Sequence, residues 1–253
     1  ASGVNTDYML FDDEKPSGCC MIILEEAPGK QTVNRILVLP GANMAITPED
    51  VAFLKDKVAE YDLVVLQLEI PMAINELVAS YAYEKGVPVM LNSAPSAPLS
   101  DELLSHLTYI SPNEHEAYDL TGIRISHSGK DVNMDEAKAA AAALKAKGVK
   151  NVLITLGEAG AVLDTEKDGF FYSPCVDGIM AVDPTAAGDS FVGALSVGLC
   201  CGWGYEETLR FANHTAALTV CSMGAMPSLP TLDKVEAFMK EKCGSVPDTS
   251  VLK

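Results

Sequence analysis

Four short strand-like runs recur between residues 63 and 157, and each is followed by a stretch with a turn or helix signal. The runs are LVVLQLE (63–69), VPVMLN (87–92), TYIS (108–111) and NVLITLG (151–157). Three of them are almost continuously apolar, which predicts strands covered on both faces. Between them, PMAINELVASYAYEKG opens at Pro71 and stops at Gly86, and SDELLSHL begins with Ser100 as an N-cap. NEHEAYDLTG ends at Gly122, and the alanine-rich MDEAKAAAAALKAKG, helical on propensity alone, ends at Gly148. A chain that alternates in this way has few options. It folds as a mainly parallel sheet between two helical layers, a three-layer α/β/α architecture, with ligands bound beyond the carboxyl ends of the strands.

Other segments extend this frame. ITPEDVAFLKDKVAE (46–60) reads as a helix with Thr47 as N-cap and Pro48 in its first turn. GAVLD and GFFYSP are expected to add antiparallel strands, and 187–201, 205–222 and 231–242 read as helices. Residues 1–45 differ, with short strands broken by turn signals at Pro16–Gly18 and Pro28–Gly29. They are expected to form a partial β lid or flap, with 46–253 as the α/β core. The tail CGSVPDTSVLK is expected to fray.

Composition narrows the functional classes. A net charge of −17 opposes a general nucleic-acid surface, while leaving room for a nucleotide held at helix N-termini. No apolar run reaches the length of a membrane span, and ASGVNTDYML lacks the basic-then-apolar order of a secretory signal. The seven cysteines (19, 20, 175, 200, 201, 221 and 243) form no C-x-x-C pair and read as buried thiols of a reducing cytoplasm. The histidines at 106, 115, 127 and 214 show no metal-ligand spacing.

AVDPTAAGDSF (181–191) gathers small residues around one carboxylate at the start of an apolar helix. The unpaired N–H groups of Ala186, Ala187 and Gly188, aided by the helix dipole, would make an anion hole. Asp189 in the first turn would then suit proton removal from an alcohol attacking a phosphoryl group. The alternative is an acid that merely complements the dipole beside small residues that pack closely. Glu69 closes an apolar strand at the ligand edge, where an acid is out of place as core. The Gly-bracketed turn ITLGEAG (154–160) lets backbone approach a ligand, or is a plain turn.

DPTAAGDSFVGAL, LNSAPSAPLSDELL, ISPNEHEAYDLTG, VLITLGEAGAVL and MGAMPSLP together resemble segments of the ribokinase family of carbohydrate kinases, in the family's order, over roughly residues 3 to 240. The resemblance implies ATP-dependent phosphorylation of a sugar primary hydroxyl, with ribose the expected acceptor. It makes Asp189 the catalytic base and Ala186, Ala187 and Gly188 the anion hole. It assigns Asn113, Thr155, Gly157, Gly160, Gly188 and Asn213 to the nucleotide and Glu69 to sugar hydroxyls. Glu116 is implied to bind Mg²⁺ through water, and Asp183, Thr185, Thr219, Ser222, Gly224 and Ser228 to hold K⁺, mostly through backbone oxygens. Lid strands commonly form the family's dimer contact, so a homodimer is implied as well.

The family's first sugar-binding strand and its G-G-K-G-A-N element have no counterpart here, so a portion of the family pattern before residue 1 is expected to be absent. PGANMAI (40–46) is only faintly like the second element. Two alternatives to a ribose kinase therefore stay open. One is a catalytically impaired nucleotide- or sugar-binding remnant, and the other a kinase for a nucleoside or ketodeoxygluconate. A dinucleotide-dependent dehydrogenase would need a G-x-G-x-x-G turn after the first strand, which the chain lacks.

Overall fold

The computed structural model describes residues 3–25 and 33–252, so the expected turn at Pro28–Gly29 lies outside the described residues. An antiparallel hairpin comes first, β1 (Cys19–Glu25) and β2 (Val33–Leu39), with Cys19 opposite Leu39. Strands and helices then alternate through α1 (Pro48–Val51), α2 (Leu54–Lys57), β3 (Val64–Leu66), α3 (Met72–Lys85), β4 (Val89–Asn92), α4 (Asp101–His106), β5 (Tyr109–Ser111) and α5 (Glu114–Thr121). A small hairpin, β6 (His127–Ser128) and β7 (Asp131–Val132), precedes α6 (Met134–Ala146), β8 (Asn151–Thr155), β9 (Ala161–Asp164) and β10 (Phe170–Ser173). The chain continues with α7 (Ala187–Cys200), α8 (Tyr205–Thr219) and α9 (Leu232–Cys243).

The central sheet has the order β10-β9-β8-β5-β4-β3, with β3, β4, β5 and β8 parallel and β9 and β10 antiparallel. Alternation along each strand divides the core between two faces. Val89, Leu91, Ile110, Val152, Ile154 and Val162 pack toward α3, α4, α5 and α6. Met90, Leu153, Ala161 and Leu163 pack toward α7, α8 and α9. The result is the expected three-layer α/β/α fold.

Local chemistry fixes the helix ends as the sequence implies. Ser100 accepts the Leu103 N–H, and Gly86 and Gly122 end α3 and α5 with φ of +72°. Two elements come out shorter than expected. The helix expected over 46–60 keeps its Thr47–Asp50 capping box but breaks into α1, α2 and a 3₁₀ turn. Val58 is the one fully buried residue along those three pieces, and packing of an apolar face is what sustains a longer helix. The strand expected over 63–69 stops at Leu66, because the Asn75 amide donates to the Gln67 carbonyl and the Leu68 N–H donates to Ala94.

The β1–β2 hairpin forms a sheet of its own, with Met21, Ile23, Leu37 and Leu39 on one exposed face and Ile22, Ile36 and Val38 on the other. The cysteines also depart from expectation. Cys19, Cys20, Cys200, Cys221 and Cys243 are exposed and Cys175 and Cys201 are half-buried, so none is a core thiol. The reason is position: Cys19 and Cys20 lie on the open hairpin, and Cys200 and Cys243 at helix ends. Among the described residues no helix is long and apolar enough to cross a membrane.

Ile110 is fully buried in the central strand β5, between Leu91 of β4 and Val152 of β8. Ile110→Ala is expected to lower unfolding free energy by about 2–5 kcal/mol, read from urea denaturation midpoints at unchanged slope.

Candidate active site

The ends of the parallel strands place Glu69, Asn113, Glu116, Thr155 and Gly157 along one edge of the sheet. Beyond β3 the chain bends through Gln67 and Glu69, with the Gln67 side-chain carbonyl accepting the Glu69 N–H. Glu69 is exposed there, outside the strand in which it was expected. Beyond β5 comes Asn113, and beyond β8 come Thr155 and Gly157. A single bridge between Asn113 and Thr155, with the Thr155 N–H donating to Pro112 at 3.0 Å, carries the β5–β8 ladder one step past its strands.

Asn113 caps α5. Its Oδ1 accepts the N–H groups of His115 and Glu116, each at 2.9 Å, and its Nδ2 donates to Glu116 Oε1 at 2.8 Å. Glu116 Oε2 accepts the Asn113 N–H at 3.0 Å and the Ser93 hydroxyl at 3.2 Å. Burial pushes the Glu116 carboxyl above its ordinary range, and the bonds from Asn113 and Ser93 pull the other way. One N–H of the Asn113 amide remains for an anion, and Glu116 Oε1 retains a lone pair for a water. That donor set suits a hydrated divalent cation. Ser93 was not singled out from the sequence; its place one residue past β4 is the signal that marks it.

The segment before α7 holds the most unusual backbone. Ala186, the N-cap, has φ of +61°, alone among the described non-glycine residues in being left-handed. That conformation costs an alanine roughly 1–2 kcal/mol. The Ala187 N–H bends back to the Pro184 carbonyl at 3.2 Å, and the Ser190 N–H makes the first helical bond, to Ala186. This corrects the expected anion hole, since Ala187 is already paired. The Gly188 and Asp189 N–H groups have no backbone partner, and Gly188 has open space where a Cβ would stand. The Asp189 carboxylate is exposed on the same turn. An acid and two vacant amides thus share one helix start, where the dipole favours an anion.

Asp183 braces this turn from below. It is 3% exposed, its Oδ1 accepts the Thr185 N–H at 2.9 Å, and its Oδ2 accepts the Gly224 N–H at 2.8 Å. Thr185 and the Gly224 N–H hold its carboxyl below the ordinary range. The Thr185 hydroxyl is buried and makes no hydrogen bond. A buried carboxylate beside an orphaned hydroxyl suits a cation of low charge. The other expected donors are less uniform: Ser228 is buried but Ser222 is exposed, and the Thr219 hydroxyl lies 3.0 Å from both the Ser190 hydroxyl and the Thr215 carbonyl. Among the described residues no three His, Cys, Asp or Glu side chains cluster as a metal cage.

On the nucleotide side, two expected residues have structural tasks. Gly160 has φ of +103°, and a Cβ there would stand 2.1 Å from the Ser173 carbonyl and 2.7 Å from the Cys175 nitrogen. The backbone it admits is the protein's own. Asn213 is 5% exposed, and its Nδ2 donates to the Ser173 carbonyl and hydroxyl at 3.0 and 2.9 Å. It ties α8 to the end of β10. Gly157, exposed at φ of +53° with open space around it, is the glycine that leaves room for a ligand. A depression of about 380 Å³ bordered by Ser96, Leu99, Asp119 and Lys147 is lined by none of the candidate residues.

The model of the "pfkB family carbohydrate kinase" matches residues 1–232. The chain is 36% identical to a ribokinase of Schizosaccharomyces pombe over 242 residues, covering 95% of this chain and 73% of that one. It is also 36% identical to a ribokinase of Bacillus subtilis, covering 94% and 74%. A solved structure of Arabidopsis thaliana ribokinase complexed with ribose and ATP superposes with a TM-score of 0.76 at 32% identity, covering 90% of this chain and 70% of that one.

Because the folded pKa of Asp183 is depressed, the stability it contributes is present above the ordinary 3.8 and is lost as pH falls through its lower folded value. Asp183→Asn is therefore expected to lower stability near neutral pH by about 1–3 kcal/mol. The gap between variant and parent should close in acid, as measured by denaturation midpoints across pH.

Proposed function

The chain belongs to the pfkB family of carbohydrate kinases, and on that premise we propose that it transfers the γ-phosphoryl group of ATP to the primary hydroxyl of a sugar, with D-ribose as acceptor. The observation that carries this reading is the start of α7, where the exposed Asp189 carboxylate shares a turn with the unpaired N–H groups of Gly188 and Asp189. Asp189 accepts the proton of the sugar hydroxyl as that oxygen attacks the γ-phosphorus. The bond from phosphorus to the β–γ bridging oxygen breaks, and ADP leaves. The two amides donate to the transferred group's oxygens, where charge is greatest in the transition state.

Other residues position the reactants. Glu69 hydrogen-bonds hydroxyls of the acceptor at the end of β3. The free N–H of the Asn113 amide meets phosphate oxygens, and Thr155 and Gly157 border the nucleotide. Glu116 would hold Mg²⁺ through water, and Asp183, Thr185 and neighbouring carbonyls of 219–228 would hold K⁺; when bound, the cations would supply positive charge that offsets the charge of the phosphates. Residues 1–45 serve as a partial lid on a core of 46–253. The apolar faces of β1 and β2 support a dimer through that hairpin, since an unpaired two-stranded sheet is marginal alone. The exposed, unbridged cysteines support a reducing compartment, the cytoplasm.

A coupled assay of ADP release with ribose, ATP, Mg²⁺ and K⁺ tests the proposal. Turnover with ribose is expected. Asp189→Asn should reduce kcat by roughly 10²–10⁴-fold with ATP affinity little changed, as removal of a general base does. ATP binding without turnover on ribose would overturn the ribose assignment. A nucleoside or ketodeoxygluconate that turns over instead would name the acceptor, and failure of every acceptor would leave a nucleotide-binding remnant.

A further inference from the structure

The β6–β7 hairpin was not foreseen from the sequence, and two residues per arm are too few to hold it by its own ladder. Two contacts fasten it, one on each side of the nucleotide edge. His127 Nε2 lies 3.4 Å from Glu114 Oε1, on the residue next to Asn113. The Lys130 ammonium pairs with the Asp177 carboxylate, and Glu158 and Cys175 are among the charged or polar groups near it. Glu158 belongs to the turn Gly157–Ala159, and Cys175 belongs to the segment that Gly160 admits. The hairpin therefore reaches from the end of β5 to the turn beyond β8, strands that are neighbours in the sheet.

This rim is acidic. Glu114, Glu158 and Asp177 lie along it, with Glu116 and Asp189 at the strand and helix ends, in a chain of net charge −17. A nucleoside triphosphate approaching it meets repulsion unless a cation faces it. Lys130 is a cation whose contacts run to this rim. Other basic side chains with described contacts are engaged elsewhere: Lys145 with Asp164, Lys147 with the Leu120 carbonyl, Arg210 with Glu207, Lys57 with Tyr8, and Arg124, Lys138 and Lys242 over the rings of Tyr118, Phe170 and Phe238. The tie of Lys130 to Asp177 is also weakly held. Asp177 is 93% exposed and Lys130 49%, so water and salt screen the pair and it contributes little to stability.

We infer that Lys130 is a nucleotide-binding residue, which leaves Asp177 to engage the polyphosphate of the bound nucleoside triphosphate, with Asp177 as its competing anion. The inference rests on the proposed nucleotide site between Asn113 and Gly157. A polyphosphate is the better partner for the ammonium, carrying several charges where Asp177 carries one. The hairpin gives Lys130 its position without burying it.

The test compares ATP, ADP and adenosine binding by calorimetry in the parent, Lys130→Met, Lys130→Arg and Asp177→Asn. Lys130→Met is expected to weaken ATP about tenfold, the scale of one charge-assisted hydrogen bond, with adenosine unaffected. Lys130→Arg should restore most of the loss. Asp177→Asn should tighten ATP by about two- to fivefold, the worth of an exposed pair no longer competing. If the parent binds ATP and Lys130→Met binds it equally well, the role of Lys130 is refuted and the nucleotide site stands. An equal loss for adenosine and ATP refutes it too, since the effect would then be structural. If the parent binds neither ATP nor adenosine, the nucleotide site itself falls, and this inference with it.

Discussion

Burial of both faces of four parallel strands governs everything else in this molecule. Such strands cannot be joined by tight turns, so the chain must cross over through helices, and the crossovers carry β3, β4, β5 and β8 to the same edge. Because successive side chains alternate, one run such as NVLIT supplies both cores. Val152 and Ile154 face one helical layer and Leu153 the other. Past the strand ends, at Gln67, Ser93, Asn113 and Gly157, backbone and polar side chains leave the core together along one edge. Chemistry collects there because that is where polar groups can be solvated.

At the start of α7 the fold holds a conformation that alanine disfavours. Ala186 stays left-handed because its surroundings leave no alternative. Pro184 fixes one φ and takes the Ala187 N–H, while Asp183 ties Thr185 on one side to Gly224 on the other. This bracing places the acid beside two amides that, at a helix start, have no carbonyl partner within the helix. The strained backbone at Ala186 and the open amides of Gly188 and Asp189 are thus linked through one buried carboxylate.

Glu116 combines two roles that elsewhere fall to different residues. As the third residue of the capping box it closes α5 onto Asn113 and reaches back to Ser93 at the end of β4. The same bonds orient its carboxylate and offset the burial that opposes its charge. On the function proposed above, the acidic edge would need cationic help to receive a polyphosphate, and the short β6–β7 hairpin, with Lys130 in its turn, would supply it.

Much was legible in the sequence because much is local. Caps at Thr47 and Ser100, stops at Gly86 and Gly122, and the strand runs VMLN, YIS and NVLIT depend on neighbours a few residues away, and pattern alone places them. Asp189 at the start of an apolar helix was legible for the same reason. What tertiary structure decided concerns contacts between distant segments. Asn213 looks like an exposed helix polar residue until Ser173, 40 positions away, takes its amide. Gly160 looks like a ligand turn until the strand end at Ser173–Cys175 fills its space. The Ala187 amide, the partners of Lys130, and Ser93 beneath Glu116 are of the same kind. A sequence records which groups a segment offers, whereas the partner that claims each group depends on which distant segments the sheet brings alongside it.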